Sequence, residues 1–534
     1  MRTSSVAAPT RAKAGGARKD SALLRGGVAV LDFGGQYSHL IARRVRSLGV
    51  YSALLPFDTP VSALKQMGVK GVILSGGPSS VYGKGAPHPE EGVFSGEIPV
   101  LGICYGYQLI VQAHGGEVKR AERREYGKAE LRITDRTGIF EGIEGSGVVC
   151  WMSHGDSATR LPRGLTSMGE SDNSPYAAIR SADGAQFGVQ FHPEVVQTEH
   201  GDEMLSNFVF NVCRAERTWS MEGFLEETVE SLRRTPEGRV LCAVSGGVDS
   251  SVASVLLNRS LHDRLQCVFI DTGLLRQGEA EEVSRFLRDD LGVPIEFVDA
   301  SKRFLGALKG LADPEEKRKV IGRVFAQTFE EYARVNGPFR YLAQGTLYPD
   351  VIESGHTSAP ASVIKTHHNV GGLPKDLRLE LIEPLRELYK DEVRALGTLL
   401  GIPAAVIGRH PFPGPGLAVR IIGEVTPEKL RLCRAANHVV EQAMREEGLY
   451  DRVWQAFAYL GDDRVTGVLG DERRVGAQVT VRVVESVDAM TADWFRMPYP
   501  ALERLSSRIT NEVEGVVSVA YSVSSKPPAT IEPQ

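Results

Sequence analysis

The sequence predicts an α/β multidomain protein, with two parallel-sheet α/β domains followed by a small α+β domain, and three observations carry that prediction. From Val28 onward, short apolar runs such as VAVLD, YSALL, GVILS and IPVLGIC alternate with helical patterns. This alternation is the mark of a parallel sheet wrapped by helices. A second series of the same kind opens at RVLCAV and continues through CVFID. Near residue 410 the pattern breaks at HPFPGPG, where three prolines and two glycines in seven residues cannot continue a helix or a central strand.

Taken in order, residues 1–26 carry six Lys or Arg against one acid, Asp20, in an Ala-, Gly- and Ser-rich context. They read as a disordered tail in preference to an organellar transit segment, because no clear apolar face accompanies the charges. Residues 27–218 form the first α/β domain, and a helical bridge at 219–234 leads into the second, 219–410. The remainder, 411–534, mixes strand-like runs (VTVRVV, GVVSVAYSV) with helical stretches at Glu428 to Glu447 and Tyr499 to Val513.

A net charge of -5 over 534 residues gives no global basic footprint, which argues against nucleic acid as a partner. No apolar stretch approaches the roughly 18 residues of a membrane span, so a soluble, cytoplasmic protein without membrane contact is expected. The six cysteines are scattered without metal-ligand spacing, which disfavours a disulfide framework or a structural zinc.

The first chemical signal is Gly102-Ile103-Cys104-Tyr105-Gly106, between an apolar run and the helical pattern QLIVQA. Small flanking residues permit the strained strand-to-helix turn that exposes a nucleophile, and the helix N-terminus stabilises a thiolate. On the pentapeptide alone, a buried structural cysteine is an equally good reading. FGVQFHPE shifts the balance: it places His192 and Glu194 just past another apolar run, at the edge where Cys104 would lie. SGGP at Ser75 to Pro78 supplies a glycine-rich turn able to aim N–H groups at an oxyanion.

Through SGGP, GICYGYQL and HPE in that order, the sequence resembles the class I glutamine amidotransferases. The resemblance implies that Cys104 attacks the glutamine amide, His192 moves the proton and Glu194 orients His192, with Gly77 and the Tyr105 amide as oxyanion donors. Ammonia leaves and requires an acceptor.

The second signal is Ser245-Gly246-Gly247-Val248-Asp249-Ser250-Ser251, directly after RVLCAV. Two glycines and three hydroxyls at a strand-to-helix junction make a phosphate cradle, and no Gly-Lys-Ser/Thr follows to make it a Walker A loop. It resembles the loop of enzymes that cleave ATP between the alpha and beta phosphates, which implies Mg2+ with ATP and Asp249 as a metal ligand.

VFIDTGLLR, PEEKRKVIGR, LAQGTLYPDVIES, KTHHNVGGLP, RHPFPGPGLAVRIIGEVT, MTADW and SSKPPATIE extend the likeness to the glutamine-hydrolysing GMP synthetases from about Val28 to the end. That resemblance implies adenylation of xanthosine monophosphate, displacement of AMP by ammonia, and a homodimer. It implies that Lys365 contacts ATP and that Asp350 and Glu353 serve a lid and its coupling. Arg318, Gln455, Lys526 and Glu532 are implied for xanthylate. Departures from the family pattern are Pro533-Gln534 in place of Trp-Glu, Ser518 for an arginine, Ser522 for an aspartate, and Arg473-Arg474-Val475 for Arg-Thr-Tyr. Two alternatives stand beside this reading: the same chemistry on a different acceptor, and a degenerate nucleotide-binding protein.

Overall fold

The computed structural model describes residues 25–145, 147–355, 379–469, 472–486 and 491–534, in two compact units divided between Ser220 and Met221. In the first unit nine strands form one sheet: β1 (Val28–Asp32), β2 (Ser52–Pro56), β3 (Gly71–Leu74), β4 (Val100–Ile103), β5 (Glu117–Ile133), β6 (Gly147–Arg160), β7 (Leu165–Glu170), β8 (Ala178–Ser181) and β9 (Gln186–Val189). The order is β2-β1-β3-β4-β9-β8-β7-β5-β6. The first five positions are parallel and read as the expected apolar runs, with Val28 to Leu31, Val72 to Leu74 and Val100 to Ile103 buried. The other four strands add antiparallel pairs, so the sheet is mixed where the sequence predicts a parallel one.

The second unit holds a five-stranded all-parallel sheet of β10 (Val240–Val244), β11 (Leu265–Asp271), β12 (Ile295–Asp299), β13 (Tyr341–Ala343) and β14 (Glu380–Ile382), in the order β12-β11-β10-β13-β14. The order reverses beside β10, and in such open sheets ligands bind outside the strand C-termini at that reversal. A four-stranded sheet follows, with β15 (Gln455–Leu469), β16 (Glu472–Glu485), β17 (Asp493–Trp494) and β18 (Val516–Tyr521). The helix Pro427–Glu446 packs on it, with Thr426 accepting the Lys429 amide as its N-cap and a proline in its first turn.

One hydrophobic core runs through this whole unit, from Leu241 and Val268 through Leu417 and Ile421 to Val481 and Ile509. The proline-rich stretch after 410 therefore does not separate two cores. Leu417, Ala418, Val419 and Ile421 are all fully buried within it.

Candidate functional site

In the first unit Cys104, the predicted nucleophile, is held in a strained backbone conformation. Cys104 has φ 54° and ψ -101° at the head of the helix Tyr105–Ala113, a left-handed conformation that non-glycine residues rarely adopt. Its neighbours must be glycine: a Cβ on Gly102 would lie 2.5 Å from the carbonyl oxygen of Gly106, and one on Gly106 would lie 2.3 Å from that of Leu74. The amide of Cys104 donates to Val189 O (2.8 Å) and that of Gly106 to Ser75 O (3.1 Å), which ties the elbow to β9 and to the turn after β3.

His192 follows β9, and its Nδ1–H donates to Glu194 Oε1 at 2.7 Å. The Cys104 sulfur interacts with the same ring, whose Nδ1 is already engaged by Glu194. Burial disfavours the charged ring, but the Glu194 carboxylate and the Cys104 sulfur outweigh it and push the imidazolium up to about 10. All three side chains are buried, and Tyr37 packs edge-on against the imidazole with ring centroids 5.0 Å apart.

Gly77 lies in the turn after β3, and Tyr105 opens the helix that follows Cys104. A Cβ on Gly77 would meet Phe33 O at 2.9 Å, which leaves no room for a side chain there, and one on Gly76 would press on His192 Cε1 at 3.3 Å. Among the described residues the amides of Gly77 and Tyr105 have no protein acceptor. Gln190 belongs to this site too, although the sequence reading passes over it: its Nε2 lies 3.8 Å from Cys104 Sγ. Its position two residues before His192 was the available signal.

In the second unit the loop Ser245–Ser251 joins β10 to the helix Val248–Leu261. Gly246 has φ +82°, and a Cβ there would crowd Val283 at 3.2 Å. The Ser245 amide donates to Ser250 Oγ (3.2 Å), which itself donates to Gly247 O (3.1 Å), so the loop is curled before any ligand arrives. Ser245 and Gly247 are exposed, and Asp249 lies in the helix's first turn. A Cβ on Gly345, just after β13, would approach the Asp249 carbonyl at 3.4 Å, which places that loop at the reversal point of the sheet.

Among the described residues no group of three or more His, Cys, Asp or Glu side chains is assembled to hold a metal ion. A single carboxylate beside a phosphate cradle instead suits magnesium, which takes most of its oxygens from phosphate and water.

The remaining predicted residues divide. Asp350 accepts the Leu347 amide (3.2 Å) at the start of the helix Tyr348–Gly355, which also carries Glu353, whose side chain lies outside the described residues, as does all of Lys365. Gln455 and Glu532 meet directly, Nε2 to Oε1 at 2.7 Å. Arg420, not anticipated from the sequence, forks onto Glu532 at 3.1 and 2.8 Å and lies 4.3 Å over the Phe457 ring. Arg318 donates to the main-chain oxygen of Gln534 at 2.5 Å, and the neighbouring Lys317, fully buried, donates to Gln534 Oε1 and Ile421 O, both at 2.7 Å. Lys526 pairs with Ala492 through backbone bonds of 2.7 and 3.1 Å. Of the departures, Ser522 accepts from Arg482 at 2.9 Å, and Arg482 also binds the carbonyls of Thr530 and Ile531, both at 2.9 Å.

Comparisons with known proteins agree with this division of labour. The family model for glutamine amidotransferase class-I matches residues 29–212, that for NAD synthase residues 219–414, and that for the GMP synthase C terminal domain residues 442–533. A glutamine-hydrolysing GMP synthase of Aquifex aeolicus is 53% identical over 506 residues, covering 95% of this chain and 99% of that relative. One of Symbiobacterium thermophilum is 52% identical, covering 95% and 98%. Another, of Carboxydothermus hydrogenoformans, is 50% identical, covering 95% and 99%. The chain belongs to the family of glutamine-hydrolysing GMP synthases.

Proposed function

We propose that this protein aminates xanthosine monophosphate to GMP, using ATP and ammonia released from glutamine. The observation that carries the reading is the pairing, in one chain, of a strained Cys104–His192–Glu194 constellation with the Ser245–Ser251 cradle in a relative-wide match.

In the first half-reaction Cys104 Sγ gives its proton to His192 Nε2 and attacks the glutamine side-chain carbonyl carbon. The amides of Gly77 and Tyr105 receive the oxyanion, and preorganised donors of this kind supply about 2.7–4 kcal/mol each. His192 then protonates the departing nitrogen, and ammonia leaves a thioester on Cys104. Water, deprotonated by the same imidazole, releases glutamate. Glu194 holds the ring in the required tautomer throughout.

In the second half-reaction the cradle holds the pyrophosphate portion of ATP by backbone N–H groups and the hydroxyls of Ser245, Ser250 and Ser251. The xanthylate 2-oxygen attacks the alpha phosphorus, pyrophosphate leaves, and ammonia displaces AMP from the adenylated carbon. Activation precedes amination because AMP is a far better leaving group than an oxygen anion. Asp249 would hold Mg2+, whose charge offsets that on the phosphates. Lys365 would add a cation to the same phosphates, with Asp350 and Glu353 on the adjoining lid.

Arg318, Gln455, Lys526 and Glu532 would hold xanthylate, the cations taking the phosphate and the acid and amide taking ribose hydroxyls. The direct Gln455–Glu532 bond supports a shared site for those two. A homodimer working in the cytoplasm accords with the family likeness, and no described helix is long and apolar enough to cross a membrane. The test is GMP formation from xanthylate, ATP and magnesium with glutamine or ammonium, followed as loss of xanthylate absorbance. No product from either donor would overturn the reading.

A further inference from the structure

Around the glutamine site, one strand segment reaches both Cys104 and His192 through its main-chain carbonyls. In β6, Trp151 O accepts the His192 amide at 3.0 Å, Ser153 O faces Cys104 Sγ at 3.7 Å, and Asp156 O accepts from Gln108 Nε2 at 3.0 Å. Gln108 Nε2 lies 3.4 Å from Gln190 Oε1, and Gln190 Nε2 reaches the Cys104 sulfur at 3.8 Å. A shift of Trp151–Asp156 therefore moves nucleophile, base and flanking amides together.

The side chain that fixes this segment takes no part in the reaction. His154 is buried, with Nδ1 3.0 Å from Asp156 O and Nε2 3.0 Å from Glu125 Oε2. Burial raises the Glu125 pKa, but hydrogen bonds from His154 and Ser171 outweigh it and hold the carboxyl below its ordinary range. Ser171 Oγ donates to both carboxylate oxygens, at 2.9 and 3.1 Å. Each ring nitrogen of His154 thus lies against an oxygen, one of the β6 main chain and one of Glu125, which fixes the plane of the ring.

The ladder between β5 and β6 breaks just before it, passing from Arg120↔Asp156 to Glu125↔His154. Such a break re-aims a strand at the position that needs it. A buried polar pair of this kind rarely stabilises a fold more than apolar packing does, and what it supplies here is fixed geometry.

We propose that the His154–Glu125 pair is a positioning element for the glutamine half of the reaction, holding the Ser153–Asp156 backbone against Cys104. The inference rests on the amidotransferase reading of that cysteine. The experiment compares full-length wild type with Glu125→Gln, His154→Phe and Ser171→Ala, measuring kcat and KM for glutamine alongside synthesis from ammonium.

Glu125→Gln and His154→Phe lower glutamine-dependent kcat/KM at least about tenfold, mostly in kcat, as displacement of a reacting group does. Ammonium-dependent synthesis stays within about twofold of wild type in both, and Ser171→Ala shows a smaller loss of the same kind. Unchanged glutamine kinetics in every variant that retains ammonium-dependent synthesis would overturn the proposal. So would an equal fall with both donors in Ser171→Ala, which removes only a hydroxyl. A wild-type protein inactive with glutamine but active with ammonium would overturn the underlying reading instead, which the wild-type control reveals separately.

Discussion

The two candidate sites are built on opposite principles. Around Cys104 the parts are buried and locked: a cysteine at positive φ, two glycines with no room for a Cβ, and an imidazole pinned by a carboxylate at 2.7 Å. Around Ser245 the loop is curled but open, with Ser245 and Gly247 exposed and Asp249 half-buried. Covalent attack needs a proton relay aligned before substrate arrives, because angstrom-scale misplacement costs about 10²-fold in rate. A phosphate cradle needs only donors in place, since a polyanionic ligand brings its own ordering charge. Geometric damage should therefore cost the first site more than the second.

The sharpest way to break that contrast is Glu194→Gln, which keeps shape but frees the imidazole tautomer. Glutamine-dependent synthesis falls by about 10⁴-fold, as when a triad carboxylate is neutralised, while ammonium-dependent synthesis is retained. Steady-state assays with each donor check this. Asp249→Asn removes one charge from the cradle and lowers synthesis from both donors alike, by roughly 10²- to 10³-fold. A loss confined to glutamine would contradict the assignment of that loop.

Gly106→Ala sharpens the same comparison from the steric side. Its methyl would meet the Leu74 carbonyl oxygen at 2.3 Å, so the elbow must move. Glutamine turnover falls by about 10²-fold or more with ammonium-dependent synthesis spared.

The smallest effect concerns stability. Lys317 is buried against carbonyls and the neutral Gln534 amide, and burial, reinforced by Lys429, lowers its pKa from 10.5 to about 8. A lysine with a depressed pKa binds fewer protons folded than unfolded between pH 8 and 10.5, so wild-type stability rises across that window. Relative to Lys317→Met, denaturant melts show wild type gaining up to about 1.4 kcal/mol per pH unit there, with a flat difference below it. Gln534→Glu gives Lys317 a carboxylate partner and moves the window upward.

Much of this was readable before any coordinates. The parallel strands β1, β3 and β4 are buried on both faces, so they appear as continuous apolar runs. β5 was not readable, because EVKRAERREYGKAELRI keeps much of its length wet and its apolar residues never run together. Cys104, His192 and Glu194 stand in motifs whose glycines and spacing carry their own steric reason. Arg420 and Lys317 had no such signal: a charged side chain is ordinarily exposed, and only tertiary partners, Glu532 for one and three oxygen acceptors for the other, make burial tolerable. The stretch after 410 shows a different limit: the NAD synthase family model ends at residue 414, close to the break, yet the hydrophobic core continues past it. Its prolines and glycines signal a break in local structure, but the chain just beyond them is packed into the core.

The most direct test of the two-site account is a paired assay of Cys104→Ala with xanthylate, ATP and magnesium, supplying glutamine in one arm and ammonium in the other. The account predicts that glutamine-dependent GMP formation disappears while ammonium-dependent formation matches wild type. Equal loss in both arms, from a variant that remains folded, would contradict it.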